Sequence, residues 1–120
     1  MRKIGYFDNE KREYIIENMY PRRPLKNHLW NEGLIIDLDQ FGNGLSKACI
    51  NKEFRPLIND YRLVYVRDNE NGEIYDINRN FAKKDFTLFR SRVGLGYHTI
   101  ESAYKGLAVS MTILVPETGS

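Results

Sequence analysis

The stretch Gly106-Leu-Ala-Val-Ser-Met-Thr-Ile-Leu-Val-Pro116 alternates between two sets of side chains. One set is apolar throughout and consists of Leu107, Val109, Met111, Ile113 and Val115. The residues between them are mostly small or carry a hydroxyl group. A period of two residues is typical of a half-buried β-strand, because successive side chains point to opposite faces of a sheet. The stretch therefore predicts a long strand with one face against a core.

The residues just before this strand predict a tight hairpin. A second extended run, Tyr97 to Tyr104, is separated from the strand only by Lys105-Gly106. Two-residue hairpin loops favour primed turns, whose twist matches that of the flanking strands, and glycine at the second position suits them. We therefore expect the two runs to pair as neighbouring antiparallel strands.

Strand signals continue along the chain, whereas helix signals are poor. The other predicted strands are alternating or rich in β-branched and aromatic residues, and they cover residues 3–7, 13–16, 34–38, 45–50, 62–67, 73–75 and 86–92. Turns over residues 8–11 and 68–72 are expected to make two further hairpins. A short helical turn is expected, if anywhere, within residues 52–60, where Pro56 limits it. The pattern predicts an all-β fold, an antiparallel β-sandwich with little helix, as a single domain over residues 1–120.

Composition argues against several classes of partner. The chain has 18 basic and 16 acidic residues, and because they are interleaved we expect no binding to nucleic acid or to a membrane surface. One cysteine, Cys49, and two distant histidines provide no metal-ligand spacing, so we predict neither a metal site nor a cofactor. The start of the chain lacks the apolar core of a signal peptide, and no apolar run is long enough for a membrane helix. Together these features predict a cytoplasmic protein.

No constellation of residues predicts a catalytic site. Asp37 and Asp39 are two residues apart and could supply a carboxylate pair, but nothing distinguishes them from solvent-facing acids at the edge of a strand. His28 and His98 have no nucleophile motif near them. Trp30 is a better candidate for binding, because Asn27-His-Leu-Trp-Asn-Glu32 surrounds it with hydrogen-bonding groups in what we interpret as a loop. An aromatic ring in that setting can stack on the face of a sugar.

The order of the motifs resembles that of the cellobiose phosphorylases and related family-94 glycoside phosphorylases. The motifs that carry this resemblance are Gly5-Tyr-Phe-Asp8, Arg12-Glu-Tyr-Ile-Ile16, Asn27-His-Leu-Trp-Asn-Glu32, Gly42-Asn-Gly44, Arg62-Leu-Val-Tyr-Val-Arg-Asp68, Gly72-Glu-Ile-Tyr75 and Arg92-Val-Gly-Leu-Gly-Tyr97. Each motif is short, but together they span almost the whole chain in order.

The resemblance implies that residues 1–120 are the first portion of a large amino-terminal sandwich domain. In that family a helical linker and an (α/α)₆ barrel follow, and the barrel holds the catalytic acid and the groups that bind phosphate. The parent reaction is inverting phosphorolysis of β-glucosides to α-glucose 1-phosphate. No barrel residue can be assigned to this chain, so we predict that the chain is non-catalytic.

The resemblance also implies sugar contact and a dimer. Loops of the family's amino-terminal domain lie close to an active site, and the loop residues that correspond by position are Trp30, Asn31, Gln40, Phe41 and Asn43. The expected partners are a β-glucoside or oligosaccharide and a second copy of the chain, joined along residues 106–115. The alternative interpretation is a free-standing carbohydrate-binding or self-associating β-module with no parent enzyme.

Overall fold

The computed structural model describes residues 3–82 and 84–117, and within these residues it contains eleven strands and no helix. The strands are β1 (Gly5–Asp8), β2 (Glu13–Ile16), β3 (Asn27–Trp30), β4 (Leu34–Leu38), β5 (Ser46–Ile50), β6 (Glu53–Ile58), β7 (Tyr65–Arg67), β8 (Ile74–Asp76), β9 (Leu88–Gly94), β10 (Tyr97–Tyr104) and β11 (Leu107–Leu114).

All strand pairs are antiparallel, and they form three sheets. The largest has five strands in the order β1-β2-β9-β10-β11, the second has four in the order β3-β4-β5-β6, and β7 and β8 form a separate hairpin. The predicted all-β, antiparallel fold is therefore confirmed.

The hairpin of β10 and β11 has the predicted geometry. Tyr104 lies opposite Leu107, and the two residues between them have positive φ, 47° for Lys105 and 81° for Gly106. Positive φ at both central positions defines a type I′ turn. Exposure along β11 alternates as the sequence predicts, with the side chains of Val109, Met111 and Ile113 half-buried and their neighbours exposed.

Two segments differ from the expectation. The residues around Trp30 were predicted as a loop, but Asn27–Trp30 is strand β3. The helical turn expected within residues 52–60 is wrong, because Glu53–Ile58 is strand β6. This strand ends its sheet, and an edge strand tolerates Pro56 because its outward side needs no N–H donor. Neither strand shows a clear alternation of apolar and polar residues in the sequence.

The two larger sheets meet in a small apolar core. Leu29 of β3 and Ile36 and Leu38 of β4 pack with Val115, and Ile113 of β11 packs against this cluster. The four-stranded sheet therefore lies against the β11 end of the five-stranded sheet. Its opposite face points away from this core.

The loop between β4 and β5 is buried between the two sheets. A Cβ atom on Gly42 would lie 2.7 Å from Cδ1 of Ile100, and Gly42 has a φ of 81°. A larger residue would have to displace the end of the Ile100 side chain and would also be strained at this positive φ, so both space and conformation favour glycine. The loop thus contacts the inner face of the five-stranded sheet directly.

A glycine also explains the Gly-Leu-Gly-Tyr motif. The ring of Tyr97 lies over its cross-strand partner Gly94, where a Cβ atom would come within 2.3 Å of two ring carbons. The hydroxyl of Tyr97 donates to the buried carboxylate of Glu13 on β2, and Arg92 of β9 also contacts Glu13. The motif therefore connects three strands of the five-stranded sheet.

His98 is part of the buried interior. Its Nε2 contacts the hydroxyl of Ser91, and its Nδ1 lies 3.3 Å from the amide nitrogen of Asn27. Only 1% of His98 is exposed, and this burial lowers its pKa from 6.5 to about 4, although a hydrogen bond with the backbone of Gln40 acts in the opposite direction. The imidazole is therefore neutral at neutral pH and links β10 to β9 and β3.

Folding stability should fall as the pH drops from about 6.5 to about 4, the interval between the unfolded and folded pKa values of His98. The unfolded chain binds a proton on this histidine in that interval and the folded chain does not, so protonation favours unfolding by up to about 3 kcal/mol. Urea unfolding of the wild type and of His98→Gln, measured across this pH range, checks the prediction.

The difference in unfolding free energy between the two proteins should change with pH, because only the wild type carries this titration. A pH dependence that is identical in the two proteins would contradict a buried neutral His98.

Candidate carbohydrate-contact face

The side of the four-stranded sheet that points away from the core forms a mixed apolar and polar surface, which we call the outer face. Cross-strand partners project to the same side of a sheet. Trp30 of β3 lies opposite Ile35 of β4, Ile35 lies opposite Lys47 of β5, and Lys47 lies opposite Pro56 of β6. These four residues form a row across all four strands of the outer face.

Trp30 is the aromatic residue of this row. Its side chain is 72% exposed, whereas the adjacent Leu29 points into the core and is buried. The strand geometry explains this difference, because neighbouring residues face opposite sides of the sheet. Strand β3 therefore presents the indole ring to solvent while its neighbour anchors the strand.

A side-chain hydrogen bond lies beside Trp30 on the same face. Nδ1 of His28 is 2.6 Å from Oδ1 of Asp37, its cross-strand partner, and both side chains are exposed. His28 is two residues before Trp30, so its ring projects from the same side of β3. A flat indole next to hydrogen-bonding groups is the combination that a sugar ring requires, since its C–H face is apolar and its rim carries hydroxyls.

Two other predicted contact residues form hydrogen bonds within the protein. The amide nitrogen of Asn31 donates to the carbonyl of Pro116 at 2.9 Å, and its oxygen accepts from the backbone of Gly33. Gln40 bridges the backbones of Leu25 and Met19 in the same way. Asn31 and Gln40 are buried, and their amides hold neighbouring segments in place.

The last two predicted residues lie in the buried loop. Asn43 exchanges two amide hydrogen bonds with Asn80, at 3.0 and 3.1 Å. The ring of Phe41 stacks on Phe89 with centroids 5.9 Å apart, and it also packs against Tyr20. The structure therefore does not bring the five predicted residues together on one surface, and of the five, Trp30 alone is exposed.

The residues considered for catalysis have structural partners instead. Oδ1 of Asp39 accepts from the backbones of Phe41 and Asn43 and so closes the buried loop, whereas Asp37 pairs with His28. Residues 3–82 and 84–117 contain no group of three or more metal-ligating side chains. The contact of Ser91 with His98 is buried in the interior.

Sequence reasoning missed the pairing of His28 with Asp37, although it considered each residue alone. The signal for it lies in the Asn31–Gly33 connection, because a short turn fixes the register of the strands on either side. That signal can be used only once β3 has been identified as a strand.

No helix in the described part of the chain is long and apolar enough to cross a bilayer.

Comparison with known proteins points to one group of enzymes. A solabiose phosphorylase of Paenibacillus borealis is 28% identical to this chain over 96% of its residues. An N,N′-diacetylchitobiose phosphorylase of Vibrio furnissii is 30% identical over the same share of the chain. A 3-O-β-D-glucopyranosyl-β-D-glucuronide phosphorylase of Paenibacillus borealis is 31% identical. The chain spans only 15–16% of the length of these relatives.

A protein-family model extends over almost the entire chain. It is described as the supersandwich domain of glycosyl hydrolase 94, and it matches residues 12–120. The resemblance inferred from the sequence motifs is thereby confirmed, and the all-β topology agrees with it. This chain belongs to the glycosyl hydrolase 94 supersandwich-domain family.

Proposed function

We propose that this chain acts as the opening part of the sandwich domain of a glycoside phosphorylase and is not itself catalytic. The family match over residues 12–120 is the observation that carries this proposal. All three relatives described above are phosphorylases of glycosides, and the chain corresponds to about a sixth of their length. The proposed parent reaction is phosphorolysis of a β-glucoside to α-glucose 1-phosphate. The single cysteine supports a cytoplasmic location.

The outer face is proposed to contact the sugar. Trp30 supplies an exposed ring for stacking, and the pair of His28 and Asp37 supplies a donor and an acceptor next to it. The other four predicted residues hold the segments that flank β3 and β4 in place; they are Asn31, Gln40, Phe41 and Asn43. A β-linked disaccharide is the expected ligand, because two consecutive rings can cover both the indole and the polar pair.

Trp30→Ala should weaken binding of cellobiose or N,N′-diacetylchitobiose about tenfold, because the stacking surface is lost. Trp30 is the one tryptophan in the sequence, so the fluorescence of the wild type reports on the proposed contact directly. Calorimetric titration compares the wild type with the variant, which has no tryptophan signal.

A matched control is available on the other sheet. Phe7 of β1 is 74% exposed, almost the same as Trp30, and Phe7→Ala should leave the affinity unchanged. Equal affinities for the wild type and Trp30→Ala would reject the outer face as the contact surface. An affinity that falls equally in both variants would do the same.

Self-association is the second part of the proposal. Strand β11 ends its five-stranded sheet, and its eight residues carry no charge. An uncharged edge strand of this length is a template for pairing with another strand, because its outward backbone groups have no partner in the sheet. A closed two-fold dimer in which β11 pairs with its own copy satisfies both edges at once.

Ser110→Lys should shift the chain from dimer to monomer in sedimentation at micromolar concentration. Ser110 is exposed on β11, so the new charges would face each other across the proposed joint at little cost to the fold. Asn9→Lys adds the same charge in the exposed turn between β1 and β2 and should leave the dimer intact. A wild type that is monomeric at every concentration would contradict the proposal.

A further inference from the structure

The sequence contains the dipeptide Asn-Gly twice, at Asn43-Gly44 and at Asn71-Gly72. An asparagine in front of glycine loses its side-chain amide without an enzyme most easily, because glycine has no Cβ to hinder attack by its backbone nitrogen on Cγ of the asparagine. That attack needs an amide that water can reach and a backbone that can rearrange. The two dipeptides have opposite surroundings in this fold, so their reactivity can be compared within one chain.

Asn43 is held from several sides. It is only 7% exposed, its Nδ2 donates to Oδ1 of Asn80 at 3.0 Å, and its Oδ1 accepts from Nδ2 of Asn80 at 3.1 Å. The backbone N–H of Gly44 donates to the carbonyl of Asp60 at 2.6 Å. A Cβ atom on Gly44 would lie 2.1 Å from the carbonyl oxygen of Asp37, so this part of the backbone is packed against β4. The fold therefore restrains both the amide and the attacking nitrogen.

Asn71 lies in the open turn between β7 and β8. Asn71 and Gly72 are both exposed, and Gly72 has a φ of 76°. A Cβ atom on Gly72 would have nothing within 4 Å beyond its own chain neighbours. The N–H of Gly72 donates to the carbonyl of Asp68 at 2.8 Å, and a backbone hydrogen bond in an exposed turn opens readily. Space and water are therefore available around both reacting atoms.

Glu73 contacts the amide of Asn71 from within the same turn. Its backbone N–H donates to Oδ1 of Asn71 at 2.8 Å, and its Oε1 accepts from Nδ2 of Asn71 at 3.2 Å. Negative charge develops on Oδ1 when a nitrogen attacks Cγ, and a backbone N–H already directed at that oxygen stabilises the charge. Glu73 therefore assists the reaction at Asn71 without burying the amide.

We infer that Asn71 is a site of spontaneous deamidation and that the fold protects Asn43 from the same reaction. The backbone nitrogen of Gly72 gives its proton to hydroxide and forms a bond to Cγ of Asn71. The bond from Cγ to Nδ2 breaks, and the side-chain nitrogen takes a proton from water and leaves as ammonia. One water molecule then opens either of two C–N bonds of the five-membered succinimide, which gives isoaspartate or aspartate. Water is the only co-reactant.

The modification places a new carboxylate beside Glu73. Oε1 of Glu73 accepts from Nδ2 of Asn71 and also from Nζ of Lys105 at 2.5 Å, and Oε2 accepts from the hydroxyl of Tyr104 at 2.6 Å. Deamidation replaces one of these donors by a like charge, and isoaspartate also lengthens the backbone of the turn. Strands β7 and β8 form a two-stranded sheet of their own, which is marginally stable, so the hairpin should open more often after the change.

Peptide mass spectrometry of the purified chain after incubation in mildly alkaline buffer tests the inference, with each gain of one mass unit located by fragmentation. Asn71 should deamidate at least about tenfold faster than Asn43 in the folded chain, because reaction at Asn43 requires the fold to open. In urea the two should react at similar rates, since both then precede an unrestrained glycine. Asn69 is the matched control, because it is exposed in the same turn but precedes glutamate.

Asn71→Gln should abolish the mass gain at this position, because glutamine does not form the five-membered ring. An isoaspartate methyltransferase with labelled S-adenosylmethionine should mark the aged wild type and not the aged variant. An Asn43 that reacts as fast as Asn71 in the folded chain, or an Asn71 that reacts no faster than Asn69, would overturn the inference.

Hydrogen exchange tests the effect on the hairpin. Backbone amides of Tyr65–Arg67 and Ile74–Asp76 should exchange faster in the aged wild type than in the fresh protein, whereas ageing should leave exchange in Asn71→Gln unchanged. Equal exchange before and after ageing of the wild type would overturn the structural consequence.

Discussion

The buried loop between β4 and β5 is the constraint on which the rest of the structure depends. A loop inside a protein loses its water, so its backbone groups need partners from the chain itself. Two neighbouring segments supply them. Asn78 donates to the carbonyls of Phe41 and Arg62, Arg62 donates to the carbonyl of Gly42, and Asn43 pairs with Asn80. The four-stranded sheet, the segment before β7 and the segment after β8 are thereby joined at one place.

The segment after β8 is itself shaped by a buried carboxylate. Asp76 is completely buried and accepts hydrogen bonds from the backbones of Asn80, Phe81 and Ala82. Backbone N–H groups can stabilise a buried carboxylate in place of a cation. They also bend residues 77–82 so that Asn78 and Asn80 reach the buried loop. The buried polar groups thus form a continuous series of hydrogen bonds, and the position of each segment depends on the segment that it contacts.

This arrangement determines which polar side chains have partners inside the protein. Polar residues near the middle of the molecule are used for holding loops, which is why Gln40 and Asn43 have internal partners. Trp30 and Tyr75 illustrate the difference between the outer face and the interior, since one ring is open to solvent and the other is buried.

Local patterns in the sequence predicted the strands whose residues alternate clearly or end at a recognisable turn. The alternation of residues 107–115 and the Lys105-Gly106 turn were sufficient for β10 and β11. Strands β3 and β6 were missed because their pairing depends on neighbours rather than on a pattern of their own. Asn43 pairs with Asn80, which lies 37 residues further along the sequence, and no local signal indicates a contact of that kind. Sequence therefore predicted the fold class and the exposure of one ring, but not the internal polar contacts.

The central proposal is that this member of the supersandwich-domain family is a non-catalytic part of a phosphorylase. Phosphorolysis requires an acid and a phosphate-binding group positioned around the same sugar, and such positioning supplies much of the rate enhancement. The most direct measurement is an assay of the purified chain for sugar 1-phosphate, with cellobiose or N,N′-diacetylchitobiose and inorganic phosphate as reactants. The account predicts no product above a blank without protein. Turnover that survives repurification and disappears in Asp37→Asn would contradict it.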